Sequence, residues 1–131
     1  MEEYTIALKK AFMDIIKAVG ETRGFIIICA LYNRAFAIVN KDNRDNLSRE
    51  AIAYIKPLTT EEANALLNVK FSVDGDGFFN FFDYVSARED DGHEYQAVKV
   101  SGTMLDNFID LFAMCPDTAF YEIEQYLIEG E

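Results

Sequence analysis

Residues 25–31 (FIIICAL) and 35–39 (AFAIV) form two short apolar runs, with Asn33 and Arg34 between them. Both runs are rich in β-branched and aromatic side chains, which favour strands, and asparagine tolerates the positive φ of a tight turn. We therefore predict a β-hairpin that turns near Asn33 and Arg34.

A helix is predicted before this hairpin, over residues 3–19. Its apolar side chains recur at helical spacing, and Gly20 suits the left-handed position that follows a helix. These apolar positions are Ile6, Leu8, Phe12, Ile15, Ile16 and Val19.

Two further helices are predicted after the hairpin. Ser48 suits the N-cap of a helix that ends before Pro57, because the residue before a proline is biased away from helical geometry. Thr59 and Glu62 have the spacing of a capping box and predict that the next helix begins there.

Three strands are predicted next, at Val69–Val73, Phe78–Ser86 and Glu94–Val100. The connections between them, residues 74–77 (DGDG) and 89–92 (EDDG), are rich in turn-forming residues. These features are typical of an antiparallel meander.

The chain is predicted to end in two helices. Thr103 and Asp106 predict the start of one, which runs through Met114 and stops at Pro116, and Asp117 can cap the other. The predicted order is αββααβββαα. We expect a single α+β domain over residues 1–131, with a mainly antiparallel sheet of about five strands and helices packed on one face.

Charge is distributed unevenly along the chain. Residues 1–56 hold nine Lys and Arg against seven Asp and Glu, whereas residues 57–131 hold three against 16. The first part therefore has a net charge of +2 and the second a net charge of −13, out of −11 for the whole chain. Such an asymmetry bears on partners rather than on fold, and it argues against direct binding of nucleic acid.

Motifs for catalysis, metals or cofactors are not evident. His93 is the only histidine, and residues 74–80 (DGDGFFN) place glycine and phenylalanine where a calcium loop needs other residues. The glycines form no phosphate loop. We expect a non-enzymatic protein without a catalytic residue, metal or cofactor.

The candidate binding residues are the acids and tyrosines of the C-terminal helices. A row of carboxylates there would attract a basic protein through its long-range field. The candidates are Asp106, Asp110, Asp117, Glu122, Glu124 and Glu129, with Tyr121 and Tyr126 as aromatic anchors.

The leading hypothesis is a protein that binds a basic partner, such as a nuclease or another nucleic-acid-binding protein. It would act as an inhibitor or as a decoy that mimics nucleic acid. Immunity, antirestriction and anti-CRISPR proteins share this physical character, by analogy only. Ordinary solubility charge explains the same composition without any partner.

An alternative hypothesis uses residues 78–84 (FFNFFDY), whose aromatic side chains would line both faces of a strand. Such a strand suits a small-molecule-binding module or a homodimer.

We expect a cytoplasmic protein that does not enter a membrane. Met1 is followed by Glu2 and Glu3 rather than by basic residues, and the longest apolar run, residues 25–32, is too short to span a bilayer. Cys29 and Cys115 lie in apolar segments and are expected to be buried, reduced thiols.

Overall fold

A computed structural model describes residues 3–40, 50–69, 83–88, 92, 94–115, 118, 121–123 and 125. Among the described residues, more lie in helices, which span 17, 19, 8 and 12 residues, than in strands, which span 6, 6 and 8 residues. The elements, in chain order, are α1 (Glu3–Val19), α2 (Glu21–Val39), β1 (Glu50–Ile55), α3 (Thr60–Leu67), β2 (Asp83–Arg88), β3 (Glu94–Ser101) and α4 (Gly102–Ala113). Residues 118, 121–123 and 125 are also helical, where the last helix is predicted.

The predicted architecture, a sheet of about five strands with helices on one face, is wrong. The described residues form one three-stranded antiparallel sheet in the order β1-β3-β2, and most of the core lies among helices. Strand β3 agrees with the prediction, and it pairs with the strand before it. The predicted strand at 69–73 begins at Val69, which follows α3 without strand structure, and its other residues lie outside the described ones.

The predicted hairpin over residues 25–39 is also wrong, because these residues belong to the single helix α2. The β-branched side chains favour strands only weakly, and burial in a tertiary contact overrides such preferences. The spacing of the buried positions is helical rather than alternating: Gly24, Ile27, Ile28, Leu31, Ala35 and Ile38.

Helices α1 and α2 are joined by Gly20 alone. Its φ of 88° and ψ of 167° lie in a region that is essentially limited to glycine. The Gly20 N–H donates to the carbonyl oxygen of Ile16 at 2.7 Å, and the Gly24 N–H donates to that of Gly20 at 2.9 Å. The prediction of helix α1 is therefore confirmed, and Gly20 has the positive φ expected after it, but its ψ of 167° is not that of the predicted left-handed conformation.

The two helices lie close together at Gly24. A Cβ atom placed there would lie 2.9 Å from the Ile16 Cα atom, which is closer than real side chains come to a backbone. The backbone of α1 thus packs directly against α2 at this point.

We predict that Gly24→Ala destabilises the protein, although alanine is the better helix former by about 1 kcal/mol. Overpacking costs about 1–3 kcal/mol, and we expect the upper part of this range because the nearest atom belongs to the backbone of α1 and cannot move aside like the end of a flexible side chain. Urea denaturation should show a loss of about 1 kcal/mol or more in the free energy of unfolding. The control is Thr22→Ala, an exposed site on the same helix, and a Gly24→Ala protein as stable as this control would contradict the close approach.

The N-cap predicted at Ser48 lies outside the described residues, and the helix predicted to end before Pro57 is wrong. Residues 50–55 form β1 instead, in which Ala51, Ala53 and Ile55 are buried while the residues between them are more exposed. This two-residue alternation is the pattern of a half-buried strand. Strand β1 pairs with β3, with Ala53 opposite Val98.

The capping box of α3 is confirmed. The Glu62 N–H donates to Thr59 Oγ1 at 3.1 Å, and the Thr59 N–H donates to Glu62 Oε1 at 2.9 Å. Arg23 Nη1 also contacts both carboxylate oxygens of Glu62, at 2.8 and 2.9 Å, which links the start of α2 to the start of α3. The Thr59 N–H, followed by the Arg23 charge, lowers the pKa of Glu62 against the opposing effect of burial.

We predict that Glu62→Gln lowers the free energy of unfolding at pH 7 by about 1 kcal/mol. The folded-state pKa of Glu62 lies below its ordinary value of 4.5, so the stabilisation is complete above that value and is lost as the pH falls through the folded-state pKa. Denaturant titrations should therefore show the wild-type and Glu62→Gln curves converging in acid. A difference that persists unchanged at low pH would contradict the assignment, and Glu61→Gln, which alters an exposed neighbour, is the control.

Aromatic contacts join three helices in the core. The Phe12 and Phe108 ring centroids are 5.9 Å apart, as are those of Phe108 and Phe112. Tyr32 meets Phe112 edge to face at 5.1 Å. Helix α4, predicted to run from Thr103 through Met114, is confirmed at Gly102–Ala113, and it packs on both α1 and α2 through these rings.

Candidate functional site

Four of the eight predicted binding residues lie among the described residues: Asp106, Asp110, Tyr121 and Glu122. Asp110, Tyr121 and Glu122 are exposed, and Asp106 is half-buried. The other four, Asp117, Glu124, Tyr126 and Glu129, lie outside the described residues.

The outer side of α4 carries both charge and apolar surface. Asp110 is exposed, and the Met114 N–H donates to its carbonyl oxygen at 3.1 Å, so the two side chains lie one helical turn apart. Met114 is 60% exposed although it is a large apolar residue, while Phe112 beside it is buried. Exposed apolar side chains mark binding surfaces where they lie together in a patch, and polar groups form the rim of such surfaces.

Residues 121–123 repeat this arrangement. Ile123 is buried in the same core cluster as Phe112, whereas Tyr121 is 64% exposed and Glu122 is exposed. Both segments are therefore anchored on one core and direct acidic and large apolar groups outward. We use the name acidic face for these two exposed groups together, Asp110 with Met114 and Tyr121 with Glu122.

The charge of the acidic-face carboxylates is not neutralised by any cation among the described residues. The ion pairs seen in the described part of the chain join Lys10 to Asp14, Arg23 to Glu62 and Lys99 to Glu50, at 3.0, 2.8 and 2.9 Å. Within the same residues no cation pairs with Asp110 or Glu122. Their charge is therefore available to a partner.

The alternative site on residues 78–84 cannot be placed, because 78–82 lie outside the described residues and the side chains of 83 and 84 are not described. His93 and residues 74–80 also lie outside them. In the portions of the chain that the structure covers, no group of three or more His, Cys, Asp or Glu side chains is placed to hold a metal ion.

A second surface feature, which the sequence did not predict, is an open groove of about 590 Å³ between α2 and β1. Ile26, Ala30 and Arg34 follow one another at intervals of four residues along α2 and line one wall, and β1 supplies the other. The lining residues are Phe25, Ile26, Cys29, Ala30, Asn33, Arg34, Glu50, Ala51 and Ile52. The helical spacing of the wall residues is the signal that could have revealed it.

Arg34 is the unusual residue of this groove. Its Nε and Nη2 atoms are buried and have no hydrogen-bond partner among the described residues. Glu50, the other charged residue of the lining, is already paired with Lys99. Cys29 also lines the groove, where burial raises the pKa of its thiol and keeps the thiol protonated at neutral pH.

Both cysteines are free thiols, as predicted, although Cys29 is only half-buried. Helix α2 is long and apolar enough to cross a membrane by length and composition alone. A core helix of a soluble protein passes the same test, and one face of α2 packs in this core, so the helix indicates no location.

Comparison of the chain with protein-family models, with curated proteins and with solved structures finds no match.

Proposed function

We propose that this protein is a non-enzymatic binding protein that engages a basic protein partner through its acidic face. The observation that carries the proposal is the exposure of two carboxylates, Asp110 and Glu122, that have no cation partner among the described residues. Asp110 lies one helical turn from the exposed Met114, and Glu122 follows the exposed Tyr121. Carboxylates supply attraction and orientation, whereas desolvated aromatic groups supply most of the binding energy in protein interfaces.

The charge distribution of the chain also supports binding to a basic partner. Residues 57–131 have three basic residues against 16 acids, and Lys99, one of the three, pairs with Glu50. The negative potential of this part of the chain would speed the approach of a basic protein and repel nucleic acid.

We further propose that the partner acts on nucleic acid and that this protein occupies its basic groove. A surface of carboxylates can replace phosphates in such a groove because both present negatively charged oxygens to Lys and Arg. Displacement by nucleic acid distinguishes this proposal from simple acidic binding. A captured partner that stays bound in excess duplex DNA and in excess RNA would contradict it.

We predict that binding depends steeply on salt. Raising the salt from about 0.01 M to 0.15 M shortens the Debye length from about 30 to 8 Å and should weaken an electrostatically steered complex. The immobilised protein, incubated with lysate of its host, should retain a basic protein at the lower salt and lose much of it at the higher. Capture of no basic protein, or retention indifferent to salt, would contradict the proposal.

We predict that the double variant Asp110→Asn, Glu122→Gln binds the captured partner about tenfold more weakly, mainly through a slower association rate, with an unchanged melting temperature. The control removes the same charge elsewhere, by Glu3→Gln with Glu21→Gln, both exposed residues of the first two helices. Surface plasmon resonance measures both variants. Equal weakening by the two pairs would show that net charge, and not the acidic face, determines binding.

We predict that Tyr121→Ala also weakens the complex by about tenfold or more, mainly through faster dissociation, as expected for an aromatic anchor. Tyr54→Ala is the matched control, since Tyr54 is 55% exposed and lies on β1, outside the acidic face. Surface plasmon resonance compares the dissociation rates of Tyr121→Ala and Tyr54→Ala. An unaltered dissociation rate for Tyr121→Ala would show that Tyr121 is not an aromatic anchor of the complex.

A further inference from the structure

We propose that this protein forms a homodimer in which the outer side of α2 packs against the same side of α2 in a second copy, with the two helices antiparallel. Seven residues form this surface, which we call the α2 stripe: Thr22, Phe25, Ile26, Cys29, Asn33, Phe36 and Asn40. The α2 stripe and the acidic face lie on different elements, so either proposal can fail without the other.

The α2 stripe lies on the exposed side of its helix. At 3.6 residues per turn, the seven residues fall within an arc of about 100°, and the buried residues of α2 lie on the opposite side. Phe25, Ile26 and Phe36 are 39%, 41% and 52% exposed, although they are large apolar residues. Exposed apolar side chains that lie together in this way mark an interaction surface.

Charge favours this surface for contact between two copies. The α2 stripe contains no charged side chain, whereas the chain as a whole has a net charge of −11. Two copies of such an acidic chain repel each other, so their association is favoured at a surface without acids. The cores of protein interfaces are also depleted in charged residues and enriched in aromatic ones, as the α2 stripe is.

The spacing of the α2 stripe is that of a coiled-coil seam. Steps of four and three residues alternate along it, which gives the 3.5-residue repeat that keeps one helix in contact with another along its length. The residues of this seam are Thr22, Ile26, Cys29, Asn33, Phe36 and Asn40. The spacing therefore predicts a helix as the partner.

The order of the seam residues favours a second copy of the same helix. A two-fold interface brings one surface patch against itself, so the patch must be self-complementary. Antiparallel pairing centred on position 31 makes the seam self-complementary, because apolar residues then face apolar ones and the polar ends face each other. The facing residues of the two copies are Ile26 with Phe36, Cys29 with Asn33, and Thr22 with Asn40.

A parallel pairing fits less well. It would place the two Phe36 rings, the largest side chains of the seam, in one layer, and it would bring like ends of the two helix dipoles together. Antiparallel pairing instead places each Phe36 opposite the smaller Ile26 and each helix start beside a helix end. Size and dipole thus both favour the antiparallel arrangement.

The groove between α2 and β1 borders the same surface. Phe25, Ile26, Cys29 and Asn33 belong both to the α2 stripe and to the lining of this groove. Ile52, on the β1 side of the groove, is 41% exposed. A helix that lies along the α2 stripe therefore borders the groove and can add apolar contacts with its second wall, as in complexes where a helix binds in a groove.

Sedimentation velocity tests the dimer directly. A polar residue in the seam, such as Asn33, fixes the register but lowers the stability of a coiled coil, so we expect a dissociation constant of about 1–100 µM. Raising the salt from about 0.01 M to 0.15 M should strengthen the dimer several-fold, because it screens the repulsion between two acidic chains. This is the opposite of the salt effect expected for the acidic face. A protein that stays monomeric throughout this concentration range, or a dimer that salt weakens, would overturn the proposal.

Charged variants test the antiparallel pairing. Ile26→Lys and Phe36→Glu should each be monomeric, because each would bury two unpaired charges in the interface. An equal mixture of the two variants should form dimers again, since the introduced lysine of one chain then faces the introduced glutamate of the other. In a parallel dimer these positions do not meet. A mixture that stays monomeric while the wild type dimerises would overturn the antiparallel pairing.

Ile6→Lys is the matched control, because Ile6 is 52% exposed and lies on α1, outside the α2 stripe. It should dimerise as the wild type does. Circular dichroism melting identifies the variants that are folded, and a folded Ile26→Lys protein that dimerises normally would overturn the proposal. Wild-type protein that remains monomeric but floats with phosphatidylcholine vesicles would assign the α2 stripe to a lipid surface and would equally overturn it.

Discussion

The contact of Gly24 with Ile16 is the constraint on which the rest of the structure depends. Because Gly24 has no side chain, the backbone of α2 lies directly against the backbone and side chain of Ile16 in α1, and Gly20 turns the chain between the helices in a conformation limited to glycine. This arrangement places Tyr32 and Phe12 where α4 packs on them through Phe108 and Phe112. It also presents the opposite face of α2 to β1, and the groove forms between them.

Local signals predicted some elements from the sequence. Helix α1 has clear apolar periodicity, and the α3 capping box depends on two residues three positions apart. Helix α2 was not predicted because its β-branched side chains favour strands, whereas its burial against α1 and β1 favours a helix and is the stronger effect. The alternation in β1 was present in the sequence, but Pro57 and Ser48 suggested a helix instead.

The two candidate sites also differ in whether they could be predicted from the sequence. The acidic face could be proposed from composition, and the structure shows which of its described side chains are exposed and which are anchored on the core. The groove could not be proposed, because a hairpin places Arg34 in an exposed turn, whereas the helix buries part of its guanidinium in a wall beside Ile26 and Ala30. The error in one element therefore concealed the groove.

The most direct test of this account is a backbone NMR assignment of residues 21–39. A continuous helix α2 that packs on α1 should give Cα chemical shifts displaced to the helical side without interruption through Asn33 and Arg34. It should also give a nuclear Overhauser contact between the Gly24 Hα atoms and the Ile16 side chain. Strand-type shifts over residues 25–31 and 35–39, separated by a turn at Asn33 and Arg34, would contradict it.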